Sequence, residues 1–302
     1  MELVATLIAA PNAEISPALL EKIVKQTAPK SARTAWLAEG EAVDIFGEGI
    51  KADEWRAGVV SCIASEPIDV IVQPAATRRK KLLAADMEST IIQQELLDEL
   101  AGQIGVRDQV AQITARAMNG EIDFGAALRE RVALLTGKPV TLLENAAKLI
   151  TLMPGAATLV ATMKKHGAAA WLITGGFSYF AKPVAAQLGF DQSYANELMV
   201  KDGVITGQAG EPILDRNRKK VLLEQACREL KLSLAETVSV GDGSNDIPML
   251  NASNAGGGLG IAYHAKPKVQ EEVVHRISHA DLTALLYAQG YKKSEFASKH
   301  GQ

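Results

Sequence analysis

The run Leu82-Leu83-Ala84-Ala85-Asp86-Met87-Glu88-Ser89-Thr90 sets two carboxylates one residue apart at the abrupt end of a short apolar segment. In a parallel α/β sheet the carboxyl ends of the strands are where ligands bind. Asp86 can act there as nucleophile and metal ligand, and Glu88 can reach the same group as acid and base. Nucleophilic carboxylates of this kind form acyl-phosphates. The same residues also suit a plain strand end, with Ser89 or Thr90 capping the next helix. A second acidic cluster makes the chemical reading the stronger one. Val238-Ser239-Val240-Gly241-Asp242-Gly243-Ser244-Asn245-Asp246 again runs a β-branched strand into carboxylates. Hard cations take oxygen ligands, commonly one or two carboxylates plus phosphate oxygens. Asp242 can face Asp86 from a neighbouring strand, although Gly, Asp and Asn are also ordinary turn residues.

Two further pieces lie between these clusters. The apolar run Ala168 to Ile173 ends in Thr174-Gly175-Gly176-Phe177, offering a hydroxyl and close backbone amides to a phosphate. Arg218-Lys219-Lys220 opens a helical pattern, and a lysine there works against the helix dipole. Neutralising a phosphate gives Lys219 a purpose; a solvated basic face is the plainer alternative.

In this order, DMEST, TGGF, Lys219 and GDGSND resemble the four motifs of the haloacid dehalogenase superfamily of phosphohydrolases. Within it the chain is most similar to the phosphoserine phosphatase subfamily, over roughly residues 80 to 290. Gln94 to Ala101, Ala117 to Glu121 and Phe124 to Leu135 extend the likeness beyond the four motifs. The resemblance implies Mg²⁺-dependent hydrolysis of O-phospho-L-serine through an aspartyl-phosphate, the last step of serine biosynthesis. It implies Asp86, Glu88 and Lys219 as catalytic residues. It implies Mg²⁺ held by Asp86, the Glu88 backbone carbonyl, Asp242 and Asp246. Glu95, nine residues after Asp86, would meet the substrate ammonium. Arg131, seven after Phe124, would hold its carboxylate, with Met118 lining the pocket. Thr174, Gly175, Gly176 and Asn245 would serve the phosphate, Asn245 orienting Lys219 or the substrate. Two positions depart from the pattern. Glu88 stands where aspartate is usual, which would alter turnover, and Thr174 where serine is usual. A phosphatase or phosphotransferase for another small ester, with homoserine as one acceptor, stays open. So does a catalytically impaired amino-acid sensor.

These residues need a scaffold, and the pattern supplies one. The expected class is α/β: a doubly wound, parallel Rossmann-like sheet with a helical cap inserted after its first core strand. A small N-terminal α+β domain of ACT-like type precedes it. The expected boundaries are 1–77 for the small domain, 78–292 for the phosphatase domain with its cap at about 91–150, and 293–302 for a polar, loosely held tail. Ser16 is placed to cap a helix, and Asp202-Gly203 to turn a hairpin.

Composition narrows the partners. A net charge of −3 gives no reason to expect nucleic acid. The basic run Arg78-Arg79-Lys80-Lys81 reads as a solvated hinge. The two cysteines match no metal spacing. No stretch approaches the ~20 apolar residues of a membrane span, and no secretory leader stands at the start. The expectation is a cytoplasmic enzyme acting on a small molecule, with a homodimer left open. No phosphate-binding loop of the nucleotide-binding type is present, and Gly256 to Gly260 lacks the dinucleotide fingerprint spacing.

Overall fold

The computed structural model describes residues 1–118 and 121–297. The chain begins β1 (Leu3–Ala9), α1 (Pro17–Thr27), β2 (Arg33–Ala38), β3 (Ala42–Gly47), α2 (Ala52–Ile63), β4 (Ile68–Pro74). The four strands form an antiparallel sheet in the order β2-β3-β1-β4. Trp55, Ile23 and Val59 of the two helices bury their apolar faces on it. Ser16 caps α1, its hydroxyl accepting from Leu19 N at 3.2 Å.

β5 (Leu82–Ala85) then enters a second sheet. α3 (Leu96–Gln103), α4 (Arg107–Met118), α5 (Phe124–Ala133) and α6 (Thr141–Ala147) follow it as the inserted helical layer. The chain returns through α7 (Ala156–Lys165), β6 (Ala169–Phe177), α8 (Ser178–Leu188) and β7 (Gln192–Asn196). A hairpin of β8 (Leu198–Lys201) and β9 (Val204–Ala209) projects next. Asp202 and Gly203 both have positive φ, +50° and +77°, as a tight two-residue hairpin turn requires. The remaining elements are α9 (Arg216–Leu230), β10 (Thr237–Gly241), α10 (Ile247–Ala255), β11 (Leu259–Tyr263), α11 (Pro267–Glu272), β12 (His275–Ile277) and α12 (Ala284–Ala288).

The second sheet is wholly parallel, in the order β12-β11-β10-β5-β6-β7. From β5 the chain winds outward through β6 and β7, then crosses to β10 and winds the other way. The strand order therefore reverses between β5 and β10, the crevice where open α/β sheets bind ligands. Val240 pairs with Ala85 there, so Asp86 and Asp242 leave the sheet at nearly the same level.

The hairpin ties the inserted helices to this sheet. Gly137 N and Val140 N donate to the carbonyls of Ile205 and Gly203, and Ile205 N returns a bond to Lys138. Arg129 of α5 also grips Glu211 beside α9 at 2.6 Å.

Two sequence expectations are corrected here. Arg78 to Lys81 is only in part the solvated hinge expected: Arg79 and Lys81 are exposed, while Arg78 and Lys80 are drawn in. Arg78 pairs with buried Asp44 at 2.7 Å, and Arg79 stacks on Tyr291 at 3.7 Å. Lys80 is buried, donating to the carbonyls of Thr77 and Ala235 at 2.9 and 2.8 Å, and burial pushes its ammonium down to about 8. Asp44, Tyr291 and Ala235 lie far away in the chain, so the run alone gave no sign of them. The segment after Tyr291 is not loose as far as residue 297. Phe296 packs against the core, and Ala297 N donates to Thr162 Oγ1. Residues 298–302 lie outside the described residues.

The two sheets are joined by polar contacts. The buried Asp69 carboxylate on β4 accepts from the amides of Ser278, His279 and Ala280 at 2.7, 3.1 and 2.8 Å. Gln73 donates to Ala288 O at 2.7 Å. His275 on β12 is buried beside this junction. Burial, with the nearby cations Arg56 and Lys80, holds its ring down to about 4. The folded protein thus refuses a proton that the unfolded chain accepts below about 6.5. Its contribution is complete above that pH and is lost as pH falls from there toward 4, by about 3 kcal/mol. Urea titrations at pH 7.5 and pH 5 should show a smaller loss for His275→Gln than for the parent chain. Equal losses would contradict this assignment.

Candidate active site

Asp86 follows β5 directly, its amide bonded to Val240 O at 3.0 Å and its Oδ1 accepting from Met87 N at 2.8 Å. Lys219 sits one turn into α9, whose N-terminus is capped by Asp215 through Arg218 N. That helix delivers a fully buried ammonium onto two carboxylates, Asp86 at 2.8 Å and Asp246 at 2.6 Å. Burial works against its charge, but Asp246 and Asp86 outweigh burial and hold the ammonium above its ordinary range. Asp246 is also tied to Gly243 N at 2.9 Å. Asp242 completes the group, and carboxylate oxygens of Asp86, Asp242 and Asp246 all lie within 4.8 Å of one another.

Three buried carboxylates around one buried lysine leave an excess of negative charge. Burial and the Asp86 charge push Asp242 up to about 6, and the same two causes raise Asp246. A cluster of hard oxygen donors held in that state fits a divalent cation. The Glu88 carboxylate is not part of it. Its Oε1 accepts from Leu96 N, the first amide of α3, at 2.9 Å. Its Oε2 lies over Gly176, where any Cβ would come within 2.6 Å of it. Burial first, then the Glu95 charge, raises the Glu88 carboxyl well above the usual range.

Thr174, Gly175 and Gly176, the phosphate cradle expected from the sequence, lie in the irregular last part of β6. Gly176 N donates to Thr174 Oγ1 at 3.0 Å, so this amide is engaged while the hydroxyl hydrogen stays available. Gly175 sits under the ring of Phe124, and a Cβ there would be 3.1 Å from Phe124 Cζ. The inserted helices thus touch the sheet at the site itself. On the same helix as Phe124, Arg131 is half-buried, and its Nε donates to Ala127 O at 3.2 Å. Burial lowers its guanidinium, opposed by the charges of Asp98, Glu88 and Glu95. Glu95 opens to solvent at the N-terminus of α3 and accepts from Ser89 Oγ at 2.8 Å. The Met118 side chain lies outside the described residues.

Among the described residues no hydrogen bond joins Asn245, expected to orient Lys219 or the substrate, to Lys219. Asp246 holds that lysine instead, and Asn245 faces Gly175 and Gly243. A carboxylate binds an ammonium more strongly than an amide does, and the turn after β10 presents both side chains. Three residues escaped the sequence reading. Lys266 binds Asp242 twice, Nζ to Oδ2 at 3.6 Å and N to O at 3.2 Å. Its position just past the end of β11 was the available signal. Buried Asn196 clamps Gly175 O at 2.8 Å and accepts from Leu214 N at 2.6 Å, linking the glycine end of β6 to the approach of α9. Nothing in its local sequence announces this. Ser89 reads from the sequence only as a helix cap.

Fold and site together define a doubly wound α/β domain with a covered, strand-end carboxylate cluster built around one lysine. The chain belongs to the haloacid dehalogenase-like hydrolase family, which matches residues 83–251. It is 39% identical to phosphoserine phosphatase SerB2 of Mycobacterium tuberculosis over 77% of this chain and 56% of that protein. The chain thus spans little more than half the length of that relative. It is 42% identical to the phosphoserine phosphatase of Lactococcus lactis, over 68% of this chain and 94% of that one. A solved phospho-aspartyl intermediate analogue of phosphoserine phosphatase superposes with a TM-score of 0.64 at 37% identity, covering 69% of this chain and 98% of the other. Among the described residues no helix is long and apolar enough to cross a membrane.

Removing Lys219 strands two buried carboxylates, and breaking a buried ion pair typically costs about 3–5 kcal/mol. Lys219→Met is therefore expected to melt well below the parent chain without metal. Added Mg²⁺ should raise its melting temperature more than it raises the parent's. A variant that melts like the parent would contradict the balance of charge described.

Proposed function

We propose that the chain hydrolyses O-phospho-L-serine to L-serine and phosphate through an aspartyl-phosphate on Asp86. The observation that carries the chemistry is the Asp86–Lys219–Asp246 chain of contacts beside Asp242. For the substrate, the support is one carboxylate and one guanidinium, Glu95 and Arg131, offered from the inserted helices. An α-amino acid presents an ammonium and a carboxylate to that pair, and Arg is suited to holding the carboxylate in two-point fashion. The activity of the relatives points to the same substrate.

In this reading the Asp86 carboxylate attacks phosphorus in line and the bond to the serine oxygen breaks. Glu88 enters protonated, as its raised carboxyl favours, and gives its proton to the departing oxygen. Now ionised, Glu88 takes a proton from the water that hydrolyses the acyl-phosphate, which frees Asp86 and phosphate. Lys219, Thr174 Oγ and nearby amides offset charge on the phosphoryl oxygens. Asp86, Asp242, Asp246 and the Glu88 carbonyl would hold Mg²⁺, which when bound supplies positive charge against those same oxygens. Phe124 closes the pocket, and water is excluded as phosphate is transferred. We read residues 1–77 as a separate ACT-like unit, regulatory or dimerising, and the protein as cytoplasmic.

Phosphate release from O-phospho-L-serine with and without Mg²⁺, beside p-nitrophenyl phosphate, tests the reading. A Mg²⁺-dependent preference for phosphoserine is expected. Glu88→Gln should lower kcat by about 10²–10⁴, the usual weight of general acid–base catalysis. Activity on the generic ester alone would remove the amino-acid substrate and keep the chemistry. Full activity in Asp86→Asn would overturn the chemistry.

A further inference from the structure

Glu95 occupies the N-cap position of α3, where a side-chain oxygen ordinarily accepts from the helix's own first amides. It makes no such bond. Glu88 fills that role instead, through Leu96 N. The Glu95 carboxylate is thereby released from its helix, and Ser89 Oγ holds it at 2.8 Å.

Ser89 holds it at a cost to its own backbone. Its φ is +52°, a left-handed conformation that L-residues other than Asn and Asp seldom adopt. The turn around it is fixed by a single carbonyl, Met87 O, which accepts from the amides of Thr90, Ile91 and Ile92. That turn follows Asp86 and contains Glu88. Disfavoured backbone that persists at a site is a pointer to function when a specific contact depends on it. Here the dependent contact crosses six residues to Glu95. Among the described residues no lysine, arginine or histidine lies within ion-pair distance of the Glu95 carboxylate. One oxygen is anchored, and the cations that act on the group, Lys266 and Arg131, do so from beyond ion-pair distance.

We propose that Ser89 is a positioning residue: its hydroxyl fixes the Glu95 carboxylate to accept a substrate ammonium, and so selects amine-bearing phosphate esters. This rests on the reading of Glu95 given above. Fixing a flexible side chain before binding removes an ordering cost that a free glutamate would bear on each encounter. The effect belongs to ammonium recognition, so it should fall on selectivity and not on phosphoryl transfer as such.

The experiment compares kcat/KM for O-phospho-L-serine with kcat/KM for 3-phosphooxypropionate, which keeps the carboxylate and phosphate and lacks the ammonium. The ratio is measured for the parent chain, Glu95→Gln, Ser89→Ala, Ser89→Gly and the Ser89→Ala/Glu95→Gln pair. Ser89→Gly relieves the backbone while removing the hydroxyl, so it separates the contact from the turn. Each Ser89 variant is expected to lower the ratio about tenfold through KM for phosphoserine, as loss of one hydrogen bond to a charged group would. In the Glu95→Gln background Ser89→Ala should add nothing further. If Glu95→Gln lowers the ratio and neither Ser89 variant does, the positioning role is wrong and the Glu95 assignment stands. If Ser89→Ala lowers it and Ser89→Gly restores it, the turn and not the hydroxyl is responsible, and the proposal fails. If Glu95→Gln leaves the ratio unchanged, the substrate reading fails and the proposal with it.

Discussion

Lys219 carries a charge that the fold must accommodate before anything else at this end of the sheet can be arranged. A fully buried ammonium is tolerated only when paired and hydrogen-bonded. Asp86 and Asp246 supply the pairing, one from the strand in front of the lysine and one from the turn after the neighbouring strand. The lysine in turn permits two carboxylates to stand close together away from water. Neither half is stable without the other, which fixes α9 against β5 and β10. With Asp242 added, negative charge exceeds positive, and the site is left with an affinity for cations and for what cations bind.

That arrangement depends on where the strand order reverses. Because β5 and β10 are neighbours that diverge in connection, the loops beyond them splay apart and leave a crevice. The register of Val240 with Ala85 sets the two acidic ends level. The inserted helices cover the crevice, and their contact with the sheet is narrow. Phe124 lies on Gly175, so a side chain larger than hydrogen there would hold the cover off, and Glu88 lies on Gly176, where such a side chain would displace its carboxyl. Asn196 ties that glycine end of β6 to the approach of α9, so the helix that carries the lysine and the strand end beneath the cover share one support.

What the sequence made legible follows from distance along the chain. Asp86 and Asp242 could be seen because each ends an apolar strand within its own segment, and parallel sheets concentrate ligands at such ends. The inserted helices showed their spacing, and the Asp202-Gly203 turn its chemistry. Lys219 stood out only as a lysine placed against a helix dipole. Contacts between distant segments were another matter. Within the basic run, Arg78 and Lys80 look solvated until Asp44 and the Ala235 carbonyl arrive from elsewhere. Asp246 and Asn245 are adjacent, and only the three-dimensional turn decides which of them reaches the lysine. Lys266, Asn196 and Ser89 act through partners that no local pattern names. The longer side chain at position 88 is a like case: its reach to the first amide of α3 is visible only once that helix is in place.

The central claim is that phosphate passes through the carboxylate of Asp86. It can be met directly by incubating the protein with Mg²⁺ and O-phospho-L-serine, quenching with borohydride, and mapping the modified peptide by mass spectrometry. Borohydride reduces an acyl-phosphate on aspartate to homoserine. The account predicts homoserine at position 86 and at no other acidic residue. Phosphate release without homoserine at position 86, or with the label on another side chain, would contradict it.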